Sequence, residues 1–104
     1  MQWKIEYMDS VESWLDSLDP LQFKSLAKEL KLVQMCGNQL RLPHSRSLGG
    51  GLFALRERRY GFRIYYCFDK GRVILLLHAG NKSSQDTDIK KARQLLDKVG
   101  GVCV

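Results

Sequence analysis

The stretch Leu52–Ala79 reads LFALRERRYGFRIYYCFDKGRVILLLHA, and its periodicity decides the fold. Polar and apolar residues alternate from Leu52 to Arg58 and again from Phe62 to Phe68, while Val73 to Ala79 is almost wholly apolar. Period two marks half-buried strands, and a short continuous apolar run marks a strand covered on both faces. Tyr60-Gly61 and Lys70-Gly71 punctuate the stretch, so the sequence predicts a three-stranded antiparallel meander with two-residue turns. That register sets Arg58 opposite Arg63, Arg56 opposite Tyr65, and Leu55 opposite Tyr66. Across the second turn it sets Arg63 opposite His78, Tyr65 opposite Leu76, and Tyr66 opposite Leu75. One face then carries Phe53, Leu55, Phe62, Ile64, Tyr66, Phe68, Val73, Leu75 and Leu77 as the core. The other carries Arg56, Arg58, Arg63, Tyr65, Cys67, Ile74, Leu76 and His78. Three arginines, a tyrosine and a histidine on rigid strands make a cationic platform, and like charges directly opposed are destabilising unless an anion lies between them.

Working outward, Trp3, Ile5 and Tyr7 alternate with Lys4, Glu6 and Met8, a further strand. Asp9 or Ser10 is placed to cap a short helix whose stripe is Val11, Trp14, Leu15 and Leu18, with Glu12 at capping-box spacing from Asp9. Asp19-Pro20-Leu21-Gln22 starts a second helix, carrying Phe23, Leu26, Ala27, Leu30 and Val33 inward and stopping at Gly37-Asn38. The near absence of a linker makes the two a helical hairpin packed on the sheet. Residues 38–51, ending in three consecutive glycines, read as a flexible connection, since the Gly-Lys-Ser/Thr of a nucleotide loop is missing. Past the meander, Asp86 or Thr87 is placed to cap a last helix with the stripe Ile89, Ala92, Leu96 and Val99. The expected class is α+β: an N-terminal strand, a helical hairpin, a three-stranded meander and a C-terminal helix, forming one domain over residues 1–104.

Charge points to the partner. The 104 residues hold 17 Lys and Arg against 11 Asp and Glu, a net charge of +6. The excess is concentrated: residues 1–40 are net −2, whereas residues 41–63 hold six arginines and one acid, Glu57. A block of arginine suits phosphate recognition. The longest apolar run, Val73–Leu77, is too short for a membrane span or a signal-peptide core, so a cytoplasmic protein without membrane contact is expected. Cys36, Cys67 and Cys103 lack metal-ligand spacing, and neither a metal nor a cofactor is expected.

The motifs Gly51-Leu52-Phe53-Ala54-Leu55-Arg56, Phe62-Arg63-Ile64-Tyr65-Tyr66 and Leu76-Leu77-His78-Ala79-Gly80-Asn81-Lys82-Ser83 give the chain a further meaning. With the order strand, two helices, three strands, helix, the chain resembles the RelE/HigB toxin superfamily, and more narrowly its phage-derived HigB-like branch. The resemblance covers most of the chain. It implies the toxin of a type II toxin–antitoxin system: a metal-independent endoribonuclease that cleaves mRNA, usually on the ribosome, and is silenced by an antitoxin of helix-turn-helix type. By position, Arg63 falls on the family's central strand arginine, Arg56 on a basic position of the preceding strand, and Lys82 on the basic position after the last strand. Ala54 stands where this branch often has an acid, Ser83 where it often has a second lysine, and a tyrosine used by some members in the last helix has no counterpart.

RNA cleavage through the neighbouring 2′-hydroxyl needs a base, an acid for the departing 5′-oxygen, and cations on the phosphorane. Arg56 and Arg63 suit the last role, Lys82 the same role or proton donation, and His78 either proton role. Arg58, Tyr65, His44, Arg46 and Arg41 are candidate RNA contacts, Tyr65 by stacking a base or orienting a phosphate. Two other readings fit the same residues: a ParE-like, non-catalytic inhibitor of DNA gyrase, and a basic RNA-binding module without activity.

Overall fold

A computed structural model describes residues 2–100. Five strands form one sheet in the order β1-β5-β4-β3-β2: β1 Lys4–Tyr7, β2 Ser45–Gly49, β3 Leu52–Glu57, β4 Phe62–Asp69 and β5 Val73–Asn81. β1 runs parallel to β5, and every other neighbouring pair is antiparallel. Helices α1 (Asp9–Asp16) and α2 (Pro20–Cys36) cover one face, and α3 (Gln85–Val99) covers the other. The class is α+β, as expected. The meander, however, is extended on one edge by β2 and on the other by β1.

Two apolar cores result, one on each face. Val11, Leu26 and Val33 from the hairpin pack with Leu55, Ile64, Tyr66, Phe68, Ile74 and Leu76. Ala92 and Leu96 of α3 pack with Leu52, Ala54, Tyr65, Cys67 and Leu77. Burial on both faces explains why β4 is enclosed from Phe62 to Phe68, polar Arg63 included.

The loop expectation for residues 38–51 is corrected by β2. Ser45, Arg46 and Ser47 pair with Leu55, Ala54 and Phe53. A short, polar edge strand carries almost no hydrophobic alternation, so its signal is weak. Its anchor is a side-chain hydrogen bond between the Ser45 and Tyr66 hydroxyls, both buried.

Both turns are longer than two residues, and both predicted registers shift. Between β3 and β4 the loop has four residues, so Arg56 faces Arg63, Ala54 faces Tyr65 and Leu55 faces Ile64. The cause is Glu57, 2% exposed, whose carboxylate accepts from the Ser25 hydroxyl and from the backbone N–H of Arg59, Tyr60 and Phe62. Between β4 and β5 the loop has three residues, with Arg72 at φ 59°, and Phe68 faces Ile74. The odd count moves Ile74 and Leu76 to the hairpin side and Leu75 and Leu77 to the α3 side, reversing their expected faces. A bulge near Leu77 then brings His78 opposite Tyr65 in place of Arg63.

The caps are partly as expected. Asp19 and Gln22 form a reciprocal capping box with Pro20 in the first turn, and Gly37 ends α2 at φ 54°. Met8, with no side-chain cap, precedes α1 instead of Asp9 or Ser10, and the Ser10 hydroxyl donates to Leu77 O. Ser84, not Asp86 or Thr87, precedes α3, following a short 3-10 turn capped by Asn81. Cys36 is half-buried and Cys67 buried, its thiol pushed up to about 11 by burial and then by Asp69. Cys103 lies outside the described residues. Among the described residues, no helix is long and apolar enough to cross a membrane.

Glu57 yields a stability prediction. Burial alone would raise its pKa, but the bonds from Ser25 and from the Tyr60, Phe62 and Arg59 amides hold it below the ordinary 4.5. Its charged form therefore contributes fully above that value, and the contribution drains away as pH falls through the lowered one. Glu57→Gln should lose about 1.5–3 kcal/mol at neutral pH, the range for hydrogen bonds to a charged group. The gap to wild type should narrow on acidification. Urea unfolding at pH 7 and pH 3 checks both, and a pH-independent gap would remove the carboxylate from this role.

Candidate functional site

The sheet lays its polar residues out in two rows on the α3 side. Arg46, Ala54, Tyr65 and His78 follow one another across β2, β3, β4 and β5. In the adjoining row, Arg56 faces Arg63, which faces Gly80. Between these rows and the start of α3 lies a cavity of about 200 Å³, lined by Arg46, Leu48, Ala54, Arg56, Arg63, Tyr65, Gln85 and Ile89. Ala54, with its single methyl group, leaves the floor open between Arg46 and Tyr65.

The lining has three guanidinium groups and no carboxylate. Arg63 is only 8% exposed, and its Nε donates to Gln85 Oε1 at 3.3 Å. Burial, and after it the charge of Arg56, lowers its pKa. Arginine stays protonated nonetheless, so the cost appears as a positive field that the charge of Glu57 offsets only in part. An oxyanion relieves that field and accepts the planar donor forks.

Tyr65 is fully buried, and its hydroxyl is the only buried side-chain polar atom among the described residues without a hydrogen-bond partner. Burial first, and then Asp88, push its phenol up to about 12. It therefore remains a neutral donor. A ring buried on both sides offers no face for base stacking, and the hydroxyl is buried in the cavity wall beside it.

His78 has another occupation. Its Nε2 lies 2.9 Å from Asp88 Oδ1, Asp88 is 8% exposed, and the Ser84 hydroxyl donates to the other carboxylate oxygen. Gly80 makes this approach possible, since a Cβ there would run into the Asp88 carboxylate. His78 is not among the cavity-lining residues. Lys82 is exposed just beyond β5, and its backbone N–H donates to Gly61 O at 2.7 Å.

The other expected contacts are dispersed. Arg46 joins the cavity through β2. Arg41 is exposed, with its guanidinium on Asn38 O and Leu40 O. His44 Nδ1 lies 3.0 Å from Glu29 Oε1. Arg58 sits in the β3–β4 loop, off the strand and away from Arg63, beside Ser25 and Lys28 on the hairpin side.

Sequence reasoning did not single out Gln85, Asp88 or Arg93. Arg93 donates to Leu48 O and Gly49 O and ties α3 to the β2–β3 turn. Polar residues on a helix otherwise facing solvent carry no periodic mark. Among the described residues, no three His, Cys, Asp or Glu side chains converge in a way that could hold a metal ion.

Comparison with known proteins places this architecture. Residues 13–97 match the family model described as phage derived protein Gp49-like. An uncharacterized protein of Haemophilus influenzae is 35% identical over 91 residues, covering 86% of this chain and 88% of its own length. The chain belongs to the phage-derived Gp49-like family. Its fold is that of the RelE toxins. A mutant of Escherichia coli toxin RelE in the free state superposes with a TM-score of 0.71 at 14% identity, over 90% of this chain and 97% of that one. The archaeal RelE–RelB complex from Pyrococcus horikoshii OT3 gives 0.59 at 19% identity, over 79% and 97%. The intact E. coli RelBE toxin–antitoxin complex gives 0.61 at 14%, over 76% and 95%.

Tyr65→Phe separates stability from ligand binding. Removing an unpartnered buried hydroxyl should raise stability by about 1 kcal/mol, the low end of the cost of such a group. Phosphate or RNA affinity should fall. Chemical denaturation with a parallel binding titration checks this, and a destabilised variant would mean that the hydroxyl has a structural partner.

Proposed function

We propose that this protein is the toxin of a type II toxin–antitoxin pair of the HigB-like branch, an endoribonuclease that cleaves mRNA on the ribosome. The arginine-lined cavity is its site for the scissile phosphate. The observation that carries this reading is the cross-strand pair of Arg56 and largely buried Arg63, flanked by Arg46, in a cavity without an acid. The family and the RelE fold agree with it.

In the proposed reaction the 2′-oxygen attacks phosphorus and the bond from phosphorus to the 5′-oxygen breaks. The products are a 2′,3′-cyclic phosphate and a 5′-hydroxyl. The proton of the 2′-hydroxyl passes to solvent water, since no carboxylate lines the cavity and His78 lies outside it, and one proton is delivered to the 5′-oxygen. Arg56 and Arg63 hold the non-bridging oxygens, whose charge grows in the transition state. Arg46 holds a neighbouring phosphate, and Tyr65 donates as a neutral phenol. Lys82, exposed where β5 ends, supplies the proton to the leaving oxygen. His78 lies outside the cavity lining and is bonded through Nε2 to Asp88, so its first role is to hold α3 against the sheet. The partner in this reading is a cognate antitoxin, which keeps the toxin inactive by covering the cavity or blocking approach to the ribosome.

Arg63→Ala should abolish growth arrest on expression and slow RNA cleavage by roughly 10²–10³, the cost of losing one preorganised transition-state donor. Arg56→Ala should be weaker but clear. Arg63→Lys should fail as well, because a point charge does not reproduce the fork. Growth assays with folded variants, and cleavage mapping with and without ribosomes, test the site. Undiminished toxicity of folded Arg63→Ala would rule it out.

A further inference from the structure

A second cationic surface lies on the opposite face of the sheet from the cavity. Lys24 and Lys28 stand one helical turn apart on α2, and Arg58 and Arg59 follow Glu57 in the β3–β4 loop. All four are exposed. They line two adjoining depressions of about 180 and 200 Å³, which share Ser25, Lys28 and Arg59.

Two acids, Glu29 and Glu57, line one of these depressions, and both are held by other groups, so the four cations outnumber them two to one. Glu57 is buried beneath it and committed to Ser25 and the loop amides. Glu29 is paired with His44. Among the described residues, none of the four cations forms an ion pair with a carboxylate. Glu57 also fixes the loop through which Arg58 and Arg59 are presented, so the cations sit on a braced element.

We propose that Lys24, Lys28, Arg58 and Arg59 form a second phosphate-binding surface, which holds the backbone of duplex RNA while the arginine cavity on the other face takes a single strand. The choice of RNA rests on the function proposed above; the existence of an anion-binding surface does not. The choice of duplex follows from shape and chemistry. This surface is a helix flank and a loop rather than an enclosed cleft, and no aromatic ring lines it. Tyr60, the nearest ring in the loop, is stacked on Phe62 at 5.6 Å, with the Arg59 guanidinium 5.4 Å from its centroid. Single-strand binders rely on aromatic platforms, whereas duplex RNA is held by shape and phosphate contacts. Such contacts position without reading sequence.

The test uses the full chain and a blunt RNA duplex of about 16 base pairs, with a short single-stranded RNA and a polyglutamate peptide as comparison probes. In the K24Q/K28Q/R58Q/R59Q variant, shown to be folded by circular dichroism, duplex affinity at low salt should fall at least tenfold. The slope of log affinity against log salt should shrink by about 3.6, given four contacts at about 0.9 each on a double helix. Each half, K24Q/K28Q and R58Q/R59Q, should lose about half of that slope, so a misfolded quadruple variant would not hide the answer. R63Q should retain duplex binding within about twofold while losing single-strand binding. An unchanged duplex slope in the folded variants would overturn the proposal, as would wild-type protein binding polyglutamate more tightly than duplex. Absence of RNA cleavage by the wild type, with duplex binding intact and dependent on these four residues, would overturn the proposed nuclease function and leave this surface standing.

Discussion

Two guanidinium groups face each other across β3 and β4, and one of them, Arg63, is largely removed from water. Like charges at directly opposed positions weaken a sheet, and burial adds to the cost by reducing solvation. The fold tolerates the pair because β4 is held from both sides by apolar packing, with the hairpin core on one face and the α3 core on the other. Local repulsion is thus carried by a strand that has no freedom to move away. An anion recovers the field that the strand cannot relax, which is the physical basis of a preorganised site.

Helix α3 makes that arrangement a cavity rather than an exposed platform. Its hydrogen bonds reach three strands: Gln85 to Arg63 on β4, Asp88 to His78 on β5, and Arg93 to Leu48 and Gly49 at the end of β2, where the turn into β3 begins. Asp88 approaches closely only because position 80 has no side chain. A buried carboxylate so near the cationic rows would compete with a ligand if it were free. Its bonds from His78 and Ser84 keep it out of the cavity lining, while its charge helps keep Tyr65 protonated.

The architecture was legible where periodicity is strong, and the register was not. β3 and β4 follow from alternation, β5 from its continuous apolar run, and α2 from the Asp19-Pro20 start. The β3–β4 shift moved every opposed pair but spared the faces, because a slip of two residues preserves the side-chain period. Arg56 and Arg63 therefore stayed on one face even though they face different partners than expected. The three-residue β4–β5 loop is an odd shift, and it reversed Leu75, Leu76 and Leu77. In an all-apolar strand buried on both sides, nothing in the sequence distinguishes the two assignments. His78 kept its expected face only because the bulge supplied a second odd shift. The polar β2 escaped for the opposite reason, having too little apolar contrast to register as a strand.

Glu57 shows how a single residue can separate two surfaces. It is the one acid within the arginine-rich segment of residues 41–63. Lying on the hairpin side, it gathers the Ser25 hydroxyl, two loop amides and the first amide of β4, which forces a four-residue connection in place of a two-residue turn. With the tighter turn, Arg58 would extend β3 and face Arg63 on the cavity side. With the longer loop, Arg58 and Arg59 leave the sheet beside Lys24 and Lys28, and Arg56 takes the place opposite Arg63. The arginine block is thereby divided between the two faces of the sheet by hydrogen bonding to one buried carboxylate. The same bonds hold that carboxylate in place, so that it offsets the charge of each group only in part.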